Sequence, residues 1–223
     1  MSDATPQPAH SGGQRTLYRR LLGPAWDDLA PSVQQLHGDA IAWAEGRFQV
    51  SRAPGRLLGL ILDAARVPPV SDAVPVRLSV TATATGAGPV ERWLRTFGDR
   101  PLVTVQYAAA GGLLGERAGI LDLRLRLAAE DRALLFRQEG QGLWLGPWRL
   151  PLPDWPTIRV SGRASPVTRA GAVDGQDERA VQVEVRVRAP TGSLLFGYRG
   201  VIRFGSVVGD GGGAADSGSE RRR

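Results

Sequence analysis

The chain has 223 residues, with 28 Lys+Arg against 22 Asp+Glu and a formal charge of +6. Lysine, cysteine and asparagine do not occur, so every cation among those 28 is arginine, and the only histidines are His10 and His37. Schiff-base and P-loop lysines, cysteine nucleophiles, iron–sulfur clusters, thiolate zinc sites and disulfides are thereby excluded.

Residues 1–14 are polar and carry Pro6, Pro8, Gly12 and Gly13, and the spacing of such residues reads as a disordered tail. Residues 209–223, rich in Gly, Ser and Asp and ending in three arginines, read as another. Between them, residues 15–208 are expected to form a single globular domain. The start of the chain has no apolar export segment, and the most apolar window, 57–62, is too short to span a bilayer. The expectation is a soluble, cytoplasmic protein with no stable membrane insertion.

Three helices are predicted first. Residues 15–22 place Leu17, Tyr18, Leu21 and Leu22 at helical spacing before Gly23-Pro24. Residues 31–37 begin with proline in the first turn and end at Gly38. Residues 55–66 are apolar on most sides, which predicts a helix lying under a sheet. From Val74 the period changes to two. Val74, Val76, Leu78, Val80 and Ala82 alternate with polar residues or proline, as do Leu121–Leu127 and Val181–Val187. Less regular strands are predicted over 41–50, 90–97, 102–109, 132–138, 143–150, 157–164 and 194–204, with turns at 86–89, 98–99, 111–112, 140–142 and 190–193. Short connections favour hairpins over parallel crossovers. Some ten strands predict an α+β protein, mainly antiparallel β, as a strongly curved sheet or partly closed barrel. Calycin-like and helix-grip-like arrangements both fit, with short N-terminal helices and with helix 55–66 plugging or covering the concave face.

Several strings occur together in order: Leu17-Tyr18-Arg19-Arg20-Leu21-Leu22-Gly23, Leu36-His37, Gly46-Arg47-Phe48-Gln49-Val50 and Glu91-Arg92-Trp93-Leu94-Arg95-Thr96-Phe97-Gly98. Gln106, Gly115-Glu116-Arg117, Leu150-Pro151-Leu152-Pro153 and Gly197-Tyr198-Arg199-Gly200 continue the series. The chain resembles the bacterial domain of unknown function numbered 4166 over about residues 15–204. The resemblance implies the domain boundaries and an association with nucleotide-binding reductase-like domains, which precede this domain in some such proteins. It implies no chemistry. Residues 80–88 and 167–179 depart from the family pattern, the second as a lengthened loop.

Strand 90–97 carries the most informative pattern. One face holds Glu91, Trp93, Arg95 and Phe97, charges interleaved with rings, which suits a cavity for an amphipathic ligand anchored by arginine. An edge strand or a cross-strand ion pair gives the same pattern. Glu116-Arg117 and Tyr198-Arg199 are further polar insertions. If their strands are neighbours, Glu91 and Glu116 converge with Arg92, Arg117 and Arg199, and a buried carboxylate there is a candidate general base. His37, before Gly38, reads as a cation at a helix C-terminus.

No metal, cofactor or dinucleotide motif is present, and no Gly-x-Ser-x-Gly. Arg124, Arg126, Arg186 and Arg188 alternate with acidic or amide residues, which predicts a solvated face and no nucleic-acid partner. Residues 147–156, rich in Pro and Trp, read as an ordered loop with packed tryptophan, the alternative being a docking segment. Three functional readings stay open. The leading one is a non-catalytic binding module for an apolar or amphipathic small molecule, its pocket lined by Trp43, Phe48, Trp93, Phe97, Tyr107 and Phe136. In that pocket Arg95, Arg117 and Arg199 would anchor the ligand, with Tyr198 beside them. The second is a small hydrolase or isomerase using Glu91 or Glu116 as base and Tyr198 as proton donor. The third is an accessory domain docking on an oxidoreductase.

Overall fold

The computed structural model describes residues 16–38, 43–64, 67–86, 88–146, 148–152, 158–168 and 176–204. The tails expected over 1–14 and 209–223 lie outside them.

The described residues form eleven antiparallel strands. They are β1 (Ala44–Arg52), β2 (Ser71–Thr85), β3 (Gly88–Phe97), β4 (Arg100–Ala109), β5 (Leu113–Ala118), β6 (Leu121–Glu130), β7 (Ala133–Leu145), β8 (Trp148–Leu152), β9 (Arg159–Thr168), β10 (Gln176–Arg188) and β11 (Leu194–Phe204). The sheet runs β6-β5-β4-β3-β2-β1-β11-β10-β9-β7-β8, and β6 also pairs with β7. That last pairing closes a ten-stranded barrel, and β8 hangs from the outer part of β7. Closure removes the unpaired edges that an open sheet of this size would expose.

Strand β5 carries no alternation in sequence and was not among the expected strands. The turn expected at 140–142 is instead continuous strand within β7. The strand expected over 143–150 is two strands, because Gly146 at φ 62° turns the chain between β7 and β8. The β6–β7 hairpin turns on two non-glycine residues of positive φ, Asp131 (50°) and Arg132 (62°).

Helices close one end of the barrel. Helix α1 (Leu17–Leu22) starts at Thr16, whose hydroxyl accepts from Arg19 N, and runs into a 3₁₀ segment, Gly23–Asp28. Helix α2 (Pro31–His37) follows, with proline at its first position. Leu17, Tyr18, Trp26, Leu29, Val33 and Leu36 are buried against the barrel, each stabilising the plug by about 1.5–3 kcal/mol. Ala30 N also donates to Arg132 O at 2.9 Å, tying the plug to the β6–β7 turn.

Of the two roles expected for helix α3 (Arg56–Ala64), plugging is not what the described residues show: Leu60 is 68% exposed, while Leu62 packs against the core. The helix sits in the β1–β2 connection, where Arg52 binds Asp63 Oδ1 (2.9 Å), Pro68 O (2.7 Å) and Val67 O. Plugging falls to α1 and α2, whose Leu17, Tyr18, Val33 and Leu36 are buried against the barrel. Trp148, expected to be packed, is 74% exposed on β8, and residues 153–157 of that segment lie outside the described residues. No helix among the described residues is long and apolar enough to cross a membrane.

Candidate functional site

Register decides what faces inward. Glu91 pairs with Gln106, and Gln106 with Glu116, which pairs with Leu123. Since successive side chains alternate across a strand, Glu91, Trp93, Arg95 and Phe97 of β3 share the inner face with Thr104 and Gln106 of β4 and Glu116 of β5. A row of polar groups therefore crosses three strands inside the barrel.

The row is held at the plugged end. Glu91 is 3% exposed and accepts from Trp93 Nε1 at 3.0 Å and from the backbone N–H of Leu17 at the start of α1. Burial pushes its pKa up to about 7, against the pull of these two hydrogen bonds. Tyr18 donates to Gln106 Oε1 at 2.7 Å, and burial raises its hydroxyl well above the ordinary range. Both contacts fasten α1 into the barrel mouth.

His37 sits in the same mouth. Its ring lies 4.4 Å from that of Tyr18, 5.3 Å from Trp93 and 5.7 Å from Phe136, centroid to centroid. Neither ring nitrogen has a hydrogen-bond partner among the described residues, and burial, with the charge of Arg95 adding, lowers its pKa to about 3. The imidazole is neutral, which corrects the expected cationic helix cap: solvent exclusion outweighs the helix end. Leaving a buried polar group unpaired costs about 1–3 kcal/mol.

Deeper in the row, Arg95 Nη1 donates to Thr104 Oγ1 at 2.9 Å and lies 3.6 Å from Glu116 Oε1. The guanidinium also stands 5.0 Å from the centroid of the Trp93 ring. Nη1 is the only one of its three nitrogens with a hydrogen-bond or ion-pair partner among the described residues. Although they face inward, the Arg95 and Glu116 side chains are each 17% exposed. Leu102, Leu121, Val185 and Tyr198, also on inner faces, are only half-buried. Tyr198 packs on Phe48 and Phe97, and burial pushes its hydroxyl up, with Arg95 pulling it back and Glu116 adding to the rise.

Of the residues expected at the site, Glu91, Trp93, Arg95, Phe97, Glu116, Phe136 and Tyr198 are gathered inside. Tyr107, Arg117, Arg199 and Arg92 face outward, and Trp43 is 46% exposed. Arg199 Nε binds Gln49 Oε1 at 3.0 Å on the outer surface. Where Glu91 and Glu116 were expected to converge with Arg92, Arg117 and Arg199, the cation that meets Glu116 is Arg95. These exclusions follow from parity: Gln106 and Glu116 point in, so their neighbours Tyr107 and Arg117 point out.

Tyr107 belongs to a second buried cluster, on the outer face. Asp122, 0% exposed, accepts from Tyr107 Oη at 2.5 Å and from Arg149 Nε, with Arg124 Nε at 3.3 Å. Burial, then this hydrogen bond, raises the Tyr107 pKa. Two glycines make room: a Cβ on Gly115 would stand 2.4 Å from Tyr107 Cζ, and one on Gly142 would stand 2.7 Å from Leu150 O and 3.0 Å from Arg149 Cζ. Asp122 was hidden in sequence because it alternates with leucines like any solvated strand residue. Thr104 was likewise unmarked, while Tyr18 was read as one face of a helix and Gln106 only as part of the family resemblance.

No group of three or more His, Asp or Glu side chains suited to a metal ion occurs among the described residues. A family model described as "Domain of unknown function (DUF4166)" matches residues 29–202. No curated protein and no solved structure matches the chain.

Proposed function

The chain belongs to this family of domains of unknown function, and from the barrel interior we propose that it is a non-catalytic binding module for an amphipathic small molecule. Its ligand would lay an apolar body along the inner wall and set an acidic or carbonyl-bearing end on Arg95. The observation that carries this reading is the inward, partly accessible and under-partnered guanidinium: among the described residues one nitrogen of three is engaged. Arginine presents its donors as a fork matched to carboxylate oxygens, and the shielded interior strengthens such a pair.

The two carboxylates favour binding over turnover. Glu91 is occupied with Trp93 and the first turn of α1, and Glu116 lies against Arg95. A general base needs an oxygen free to reach its substrate. The test is native mass spectrometry of the full chain, followed by calorimetric titration of the molecule it carries. Arg95→Met is expected to abolish binding with the barrel still folded by circular dichroism. Retained affinity in that variant would overturn the reading.

A further inference from the structure

On the outer wall of the barrel, and independent of its interior, we infer a second site: a hollow over Gly197 that takes a small phosphate monoester carrying hydroxyls. Register assembles it. Gln49 of β1 pairs with Arg199 of β11, and Arg199 with Glu184 of β10. Two residues along each strand, Ser51 pairs with Gly197, and Gly197 with Arg186. Phe48, Val50 and Phe196 are buried inside, so alternation turns Gln49, Ser51, Gly197 and Arg199 outward, and Glu184 and Arg186 with them. Neighbouring strands lie about 4.8 Å apart, so Ser51 and Arg186 stand about 10 Å apart across a residue with no side chain. The hollow these residues line measures about 280 Å³, with Leu194 as an apolar wall. That is close to the lower end of small-molecule pockets, about 300 Å³.

The groups around the hollow are mostly donors. Arg199 Nε donates to Gln49 Oε1 at 3.0 Å, which leaves both Arg199 Nη atoms, Gln49 Nε2 and Ser51 Oγ without partners among the described residues. Across the hollow, Glu184 Oε1 accepts from Arg186 Nε at 2.7 Å, and Glu184 Oε2 has no partner among the described residues. A phosphate monoester offers acceptor oxygens in the geometry that an arginine fork matches. Glu184 only accepts, so its spare oxygen calls for a hydroxyl on the same ligand. The surroundings favour an anion as well. Arg47, Arg159, Arg163 and Arg188 share this outer face, and Glu45 and Glu184 are the only acids in 44–52, 159–168, 179–188 and 194–204. Along a single strand these arginines alternate with acids, amides or serines; only register gathers them around one hollow.

The experiment titrates the full chain with inorganic phosphate, glucose 6-phosphate and glucose, and follows the backbone amides of Ser51 and Gly197 by ¹⁵N NMR. Both phosphates are expected to shift these amides saturably, and glucose alone to leave them unmoved. Glucose 6-phosphate should bind about tenfold more tightly than inorganic phosphate, the worth of one well-made hydrogen bond. Arg199→Leu should weaken both phosphates by about tenfold or more, with the barrel still folded by circular dichroism. Glu184→Leu should erase the preference for the sugar phosphate while inorganic phosphate binds no less tightly. Phosphates that leave Ser51 and Gly197 unmoved, or that bind Arg199→Leu as well as the unaltered chain, would overturn the site. Equal affinities for the two phosphates in the unaltered chain would overturn the pairing of Glu184 with a ligand hydroxyl, and with it the class of ligand.

Discussion

Two clusters in this barrel are built from the same residue types and behave differently. On the outer face, Asp122 is surrounded by Tyr107, Arg149 and Arg124, and both of its oxygens are engaged. Inside, Glu116 lies 3.6 Å from Arg95, with Tyr198 near by, and among the described residues most of the Arg95 donors and both His37 nitrogens are unengaged. The saturated cluster holds structure together, pinning β8 to the barrel through Arg149. The unsaturated one keeps donors free in a shielded space. How fully a buried group is satisfied, more than which residues surround it, separates a structural network from a binding site.

The strongest way to break this contrast is to remove Asp122. Asp122→Ala leaves two arginines and a tyrosine without their acceptor, and should cost about 3–5 kcal/mol in urea unfolding, with affinity at Arg95 unchanged. A loss below about 1 kcal/mol would show that the outer cluster is not structural.

Next in size is an opposition between two buried titrations at the plugged end. Glu91 titrates near 7 in the fold against an ordinary 4.5, so its contribution is fully present below 4.5 and is lost as pH rises through 7. His37 titrates near 3 against an ordinary 6.5, so its contribution is present above 6.5 and is lost as pH falls through 3. Each has a slope of about 1.4 kcal/mol per pH unit, and between 4.5 and 6.5 the two slopes cancel. Chemical unfolding across that window should find the unaltered chain nearly flat. Glu91→Gln should become more stable as pH rises, and His37→Phe less stable. A flat profile in both variants would mean that neither group is buried as described.

A smaller effect is expected inside the barrel. Replacing the loose inner pair together, as Arg95→Met with Glu116→Leu, should leave stability within about 1 kcal/mol or raise it, since both charges lose their desolvation cost. Ligand binding should disappear. A large loss of stability would make the inner pair structural, like Asp122. Smallest of all, Asp131-Arg132 occupies a two-residue hairpin turn with both residues at positive φ. Asn-Gly there should stabilise the chain by about 1 kcal/mol, seen as a thermal midpoint about 2–4 °C higher.

Strand β4 shows why the site was only partly legible. Its more apolar face is Val103, Val105 and Tyr107, yet the structure turns Thr104 and Gln106 inward, because Arg95 and Tyr18 need their oxygens. Reading apolar as inward therefore put Tyr107 on the wrong face. The inward face of strand β3 was legible for the opposite reason: it interleaves rings with charge, and both Trp93 and Phe97 are buried. Strand β5 stayed unseen because its six residues include Gly115, required by the overlying Tyr107 ring, and Glu116-Arg117.

By itself, the sequence determined the strands whose apolar residues recur every second position, the helices marked by Pro31 and Gly38, and the exclusion of lysine and cysteine chemistry. These are local properties, set by side-chain period and by backbone dihedrals. Tertiary structure alone decided that β6 and β7 close the barrel, that α1 and α2 rather than α3 plug it, and which arginine stands inside. Each of these depends on register between segments distant in the chain, and one residue of slip exchanges the inner and outer faces of a strand.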